Sequence, residues 1–109
     1  MYSDYLDLAE RLNETLPHKN HYSAKIYVWT NRYDTKKYGV TAAITNCKPE
    51  DADKLTWKDV AVDVAVDIKR SEMKDAVCKA YRMITDRLGI KRQVITIKLR
   101  NRKEPYVVA

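Results

Sequence analysis

Apolar residues recur along this chain with two different periods, and the period changes from element to element. In "DVAVDVAVDI", residues 59–68, every second position is valine or isoleucine. Val60, Val62, Val64, Val66 and Ile68 share one side; Asp59, Ala61, Asp63, Ala65 and Asp67 share the other. Ten residues of unbroken period two predict a half-buried strand, because a helix would scatter the same β-branched residues around its axis. Residues 24–31 alternate as well, with Ile26 and Val28 against Lys25, Tyr27 and Trp29. So do residues 38–45, with Val40, Ala42 and Ile44 against Thr41, Ala43 and Thr45. The short polar segment between them, "RYDTKK", predicts a β-hairpin with a basic tip. Residues 93–100 supply a fourth alternation, Ile95, Ile97 and Leu99 against Thr96, Lys98 and Arg100.

Elsewhere the period lengthens to that of a helix. Tyr5, Leu8, Leu12 and Leu16 make one apolar stripe over residues 3–16, with Ser3 placed to cap, Asp4 and Asp7 suited to the positive end of the dipole, and Pro17 as the stop. Leu6 lies off that stripe. Met73, Val77, Ala80, Ile84 and Leu88 make a second stripe over residues 71–88, with Ser71 as the expected N-cap and Gly89 as the expected left-handed residue past the end. An acidic loop, "NCKPEDADKLT", links the second and third strands, with room for a helical turn from Pro49. Residues 101–109 read as a tail or a short edge strand. The order is α-β-β-β-α-β. The predicted fold is a single α+β domain over 1–109: two layers, a mostly antiparallel four-stranded sheet, and both helices on one face.

That arrangement leaves the other sheet face open. Its outward positions are charged on the flanks and small in the middle. The aspartates at 59, 63 and 67 suit cross-strand pairing with lysine and arginine, worth about 0.2–1 kcal/mol per pair, and they discourage edge-to-edge association. They do not suit a metal or a carboxylate dyad, because four residues along a strand separate them by about 13 Å. No outward position on the other strands adds a carboxylate or histidine. The order β-β-β-α-β resembles the first half of ribonuclease H-like nucleases, which use carboxylates on such a sheet, but no second acidic helix follows in these residues. The flat middle also suits contact with another surface, which makes Tyr27, Trp29, Ala43, Ala61 and Ala65 interface candidates.

Composition removes several kinds of chemistry. With Gly39 and Gly89 as the only glycines, no glycine-rich phosphate loop can form. Cys47 and Cys78 lack metal-ligand spacing and read as two reduced thiols; His18 and His21 have no ligand partners nearby. No serine or cysteine sits in a nucleophile motif. The expectation is a protein that is not an enzyme and has no metal and no cofactor. No apolar run approaches the ~18 residues of a membrane span, and the acidic, amphipathic start is unlike a secretory signal, so a cytoplasmic protein with no membrane association is expected.

Charge points towards a partner. The net charge is +6, and residues 69–103 hold twelve Lys and Arg against only Glu72, Asp75 and Asp86. Arg70, Lys74, Lys79 and Arg82 are expected on the exterior of the second helix, followed by Lys91, Arg92, Lys98, Arg100, Arg102 and Lys103. Such a footprint suits nucleic acid, RNA or DNA, bound by its backbone with little sequence specificity. Over residues 3–88 the order α-β-β-β-α resembles that of the double-stranded RNA-binding domain. That family grips phosphates with a basic run at the start of its second helix, where Arg70 and Lys74 match and Ser71 does not. The family's glycine-rich approach and Gly-Pro-x-His hairpin signature are absent. The alternative is a protein-binding module whose partner presents an acidic protein surface, for example a small phage or mobile-element protein that inhibits a host nucleic-acid or defence enzyme, or a homodimer formed through the flat sheet face.

Overall fold

The structure, a computed structural model, describes residues 4–16, 23–45, 60–89, 95–99 and 103–108. Its elements are α1 (Asp4–Thr15), β1 (Ser23–Thr30), β2 (Tyr38–Thr45), β3 (Val60–Ile68), α2 (Met73–Leu88), β4 (Ile95–Ile97) and β5 (Tyr106–Val108). The class is α+β, as the periodicities predict. Among the described residues the expected single four-stranded sheet is not found: β1, β2 and β3 make an antiparallel sheet in that order, and β4 and β5 make a two-stranded antiparallel ribbon. The fourth alternating segment finds its partner in the tail, where Ile95, Thr96 and Ile97 face Val108, Val107 and Tyr106.

One core holds the described elements together. Leu8, Leu12 and Leu16 from α1 and Met73, Val77, Ala80 and Ile84 from α2 meet Ala24, Ile26, Val40, Ala42 and Ile44 from the sheet. The sheet residues all come from one face, so both helices lie on that face. Ile97, Leu99 and Val108 bring the ribbon into the same core. Asp7 keeps its first-turn position but is buried, with Arg11 Nε 3.5 Å from its Oδ1. Leu6, off the predicted stripe, lines a small groove with Tyr5, Val28, Trp29 and Tyr38.

Local signals hold at some ends and fail at others. Gly89 closes α2 in the left-handed region, φ 68°, and its N–H bonds back to Asp86 O. Ser71 does not cap α2. It lies inside a 3₁₀ turn, Arg70–Glu72, and Glu72 takes the cap position without a side-chain bond. Ser3 lies outside the described residues. In the hairpin, Asn31 Oδ1 accepts from the N–H groups of Tyr33 and Asp34, and Asp34 Oδ1 accepts from that of Lys36, so side-chain acceptors set the turn.

β3 departs most from its sequence pattern. Its pairing with β2 is regular from Ile44↔Val60 to Thr41↔Asp63, then shifts to Val40↔Ala65 and again to Tyr38↔Ile68. Each shift admits an extra residue on β3, and such bulges break the alternation of faces. Asp67 sits at φ 56°, an uncommon conformation for a non-glycine residue. Two assignments therefore change. Ala65, expected on the open face, packs against the core opposite Val40. Val66, expected in the core, is 48% exposed. Val62 is on the core side, opposite Ala42, yet is 40% exposed, because the helices lie chiefly over β2 and β1 and leave this edge strand less covered.

Candidate nucleic-acid interface

The four candidate bases in α2 and the 3₁₀ turn before it divide between two flanks. Arg70 and Lys74 lie on one. The Arg70 guanidinium is 5.9 Å from the centre of the Tyr5 ring, and Lys74 Nζ is 5.3 Å from that of Tyr106. Both distances suit a cation–π contact, so a ring holds each charge near the surface. Lys79 lies about 140° further round the helix than Lys74, at 3.6 residues per turn. It shares a stripe with Asp75, Arg82 and Asp86, at spacings of three and four residues. That outward stripe therefore balances two bases against two acids.

The remaining candidates fall in the sequence segment 91–103. Lys98 and Lys103 are exposed; Lys91, Arg92, Arg100 and Arg102 lie outside the described residues. The ribbon meets the helices at Tyr106, which sits under Lys74 and whose hydroxyl is 4.0 Å from Cys78 Sγ. Burial pushes the Cys78 thiol up, only partly opposed by that hydrogen bond and by the charge of Arg82, so the thiol is a poor nucleophile. Cys47, His18 and His21 lie outside the described residues. Between α1 and β4 runs an open groove of about 470 Å³, with Arg11, Lys98, Thr15 and Thr96 among its lining.

On the open sheet face the side chains are tied into a chain. Trp29 Nε1 donates to Thr41 Oγ1 at 3.0 Å, and Thr41 Oγ1 donates to Asp63 Oδ1 at 2.8 Å. The Trp29 ring lies across Gly39, its cross-strand partner, where an added Cβ would fall 2.2 Å from Trp29 Cζ2. Of the interface candidates, Tyr27 is 48% exposed with Lys25 Nζ over its ring, Ala61 is exposed, Trp29 is half-buried, and Ala43 is buried. Ala65 belongs to the core side, as described above.

Sequence reading alone did not single out three contributors. Tyr5 and Tyr106, which hold Arg70 and Lys74, read only as an apolar helix position and as part of the tail. Asn13 bonds to the backbone of Ile26 in both directions, 3.0 Å as donor and 2.7 Å as acceptor. Nothing local marks it, because its partner is thirteen residues away. Among the described residues, no group of three or more His, Cys, Asp or Glu side chains could hold a metal ion. None of the described helices is long and apolar enough to cross a membrane. No family model matches the chain, and neither a curated protein nor a solved structure matches it.

Proposed function

We propose that this is a small non-enzymatic binding protein that takes the backbone of nucleic acid, RNA or DNA, with little sequence specificity. The surface we assign to it is the flank where the start of α2 meets the C-terminal ribbon, rather than the outward stripe of α2. The observation that carries this reading is the pair of ring-held cations, Arg70 and Lys74, the second of them resting on Tyr106 of the ribbon, whose described residues add the exposed Lys98 and Lys103. A cation already resting on a ring loses less freedom when it meets a phosphate. The outward stripe, with Asp75 and Asp86 beside Lys79 and Arg82, attracts polyanion less.

Fluorescence anisotropy with short generic RNA and DNA duplexes across a salt series tests this. Changing Lys74, Lys98 and Lys103 to glutamate is expected to flatten the salt slope by about one unit for each phosphate that is no longer neutralised. Changing Lys79 and Arg82 instead should have a smaller effect. Absence of salt-sensitive binding to either duplex by the unaltered chain overturns the reading. A protein-binding module is the second reading, and exposed Tyr27 on the open sheet face favours it. Under that reading Tyr27→Ala abolishes partner binding and Lys98→Glu does not.

A further inference from the structure

Phosphate binding leaves one side of the molecule unused: the outer edge of β3 and the flank of α2 beside it. Between them runs an open groove of about 350 Å³. Its floor is apolar, with Val64, Ala65 and Ile68 from β3 and Ala76 from α2. Of the charged residues that line it along α2, Glu72 and Asp75 lie at one end and Lys79 and Arg82 at the other; Asp86, one turn further along the same stripe, is not in the lining. Val62 and Val66 on β3 and Met83 on α2 are exposed. Met83 follows Lys79 by four residues and Ala76 by seven, which places it on the same flank. Among the described residues, no strand pairs with the outer edge of β3.

We propose that this edge joins the same edge of a second copy of the chain, so that two three-stranded sheets become one sheet of six in a symmetric dimer. A two-fold axis beside Ala65 and Ala76 runs β3 antiparallel to its copy and α2 antiparallel to its copy. The acidic end of each α2 rim then faces the basic end of the other. A symmetric contact needs a surface complementary to itself, and the order acid, apolar, base along α2 meets that condition. Because α2 lies chiefly over β2, three strand spacings, about 14 Å, separate the two helix axes. That exceeds the roughly 8–10 Å of direct helix contact. Long glutamate, lysine and arginine side chains span such a gap over a floor of valine and alanine.

Aspartates on an edge strand ordinarily discourage pairing. Here they are drawn back onto their own sheet: Asp63 accepts from Thr41, and Asp67 Oδ1 accepts from Asn31 Nδ2 at 3.0 Å. The dimer does not depend on the nucleic-acid reading, and its failure would leave duplex binding as it is.

Equilibrium sedimentation of the full chain is the test. The unaltered protein is expected to show twice the monomer mass at high concentration and to dissociate on dilution. Glu72→Lys with Asp75→Lys makes the four charges that line the groove all basic; Lys79→Glu with Arg82→Glu makes them all acidic. Each pair alone should lose the dimer, and an equimolar mixture of the two variants should recover the doubled mass. A chain that is monomeric at every concentration overturns the proposal. So does a dimer that survives both reversals, as one formed through the open sheet face would, or a mixture that stays monomeric. Should the variants not fold, hydrogen exchange of the unaltered chain decides: slower exchange of amides 60–68 at high concentration supports the dimer, and concentration-independent exchange overturns it.

Discussion

The two edges of the three-stranded sheet are finished in different ways. At the β1 edge, Asn13 of α1 acts as a short substitute for a strand: its amide donates to Ile26 O and accepts from Ile26 N–H. At the β3 edge no described strand supplies such partners, and the strand is bulged, with Val62 and Val66 exposed. Yet β3 has the cleaner alternation in sequence. Period two establishes that a segment is a strand; what a helix lays over it decides how much of its apolar side is buried. The best-patterned strand is here the less covered one.

The strongest way to break that comparison is to place a charge on the core side of each edge strand. Ile26 is 2% exposed, and Ile26→Asp is expected to unfold the domain, since an unpaired buried charge costs about as much as a small domain's whole stability. Val62 is 40% exposed, so a carboxylate there reaches water. Val62→Asp is expected to cost about 1 kcal/mol of monomer stability, the value of a partly buried valine. Urea unfolding at low protein concentration reads both. Equal damage at the two positions would mean that β3 is as covered as β1.

How much of this was legible in the sequence follows the range of the interactions. The two long helices and three main strands rest on local periodicity, and all were readable. Gly89 was readable too, because a left-handed residue past a helix end is a local demand. The bulges were not, because a register shift depends on how β2 and β3 pair, and "VAVDVAVDI" contains no glycine to mark it. The pairing of β4 with the tail was open for the same reason: a three-residue strand has too little pattern to choose a partner. In the candidate site, the spacing of Lys74 and Lys79 already contained their separation around the helix. What the spacing lacked was which flank meets Tyr106 and which is shared with Asp75 and Asp86.

The edges can be compared again through their hydrogen bonds. Asn13→Ala removes both bonds to Ile26 and leaves a part-buried N–H and C=O without the amide that satisfied them. A cost of about 1–3 kcal/mol is expected, the penalty for stranding such groups. The more specific readout is hydrogen exchange, in which the Ile26 amide should speed up beyond what the lower stability explains. If it exchanges no faster than its neighbours, Asn13 is not what closes the β1 edge.

The smallest expected effect falls on the β3 side, at the centre of the aspartate row. Asp63 is exposed and accepts one hydrogen bond, from Thr41. Asp63→Ala removes that acceptor, but the Thr41 hydroxyl can turn to water while its oxygen still accepts from Trp29 Nε1. The ring remains held across Gly39, so the rest of the open face has no reason to move. A bond at the surface contributes little once water can replace it, and the change should stay within about 1 kcal/mol. Thr41→Val should cost more, because it takes away the acceptor for Trp29 as well. Thermal unfolding of the two variants, with the Trp29 indole N–H followed by NMR, gives the order directly. If Asp63→Ala unfolds the domain while Thr41→Val does not, the aspartate acts through something other than this chain of bonds, and the description of the β3 side as the loosely held edge fails.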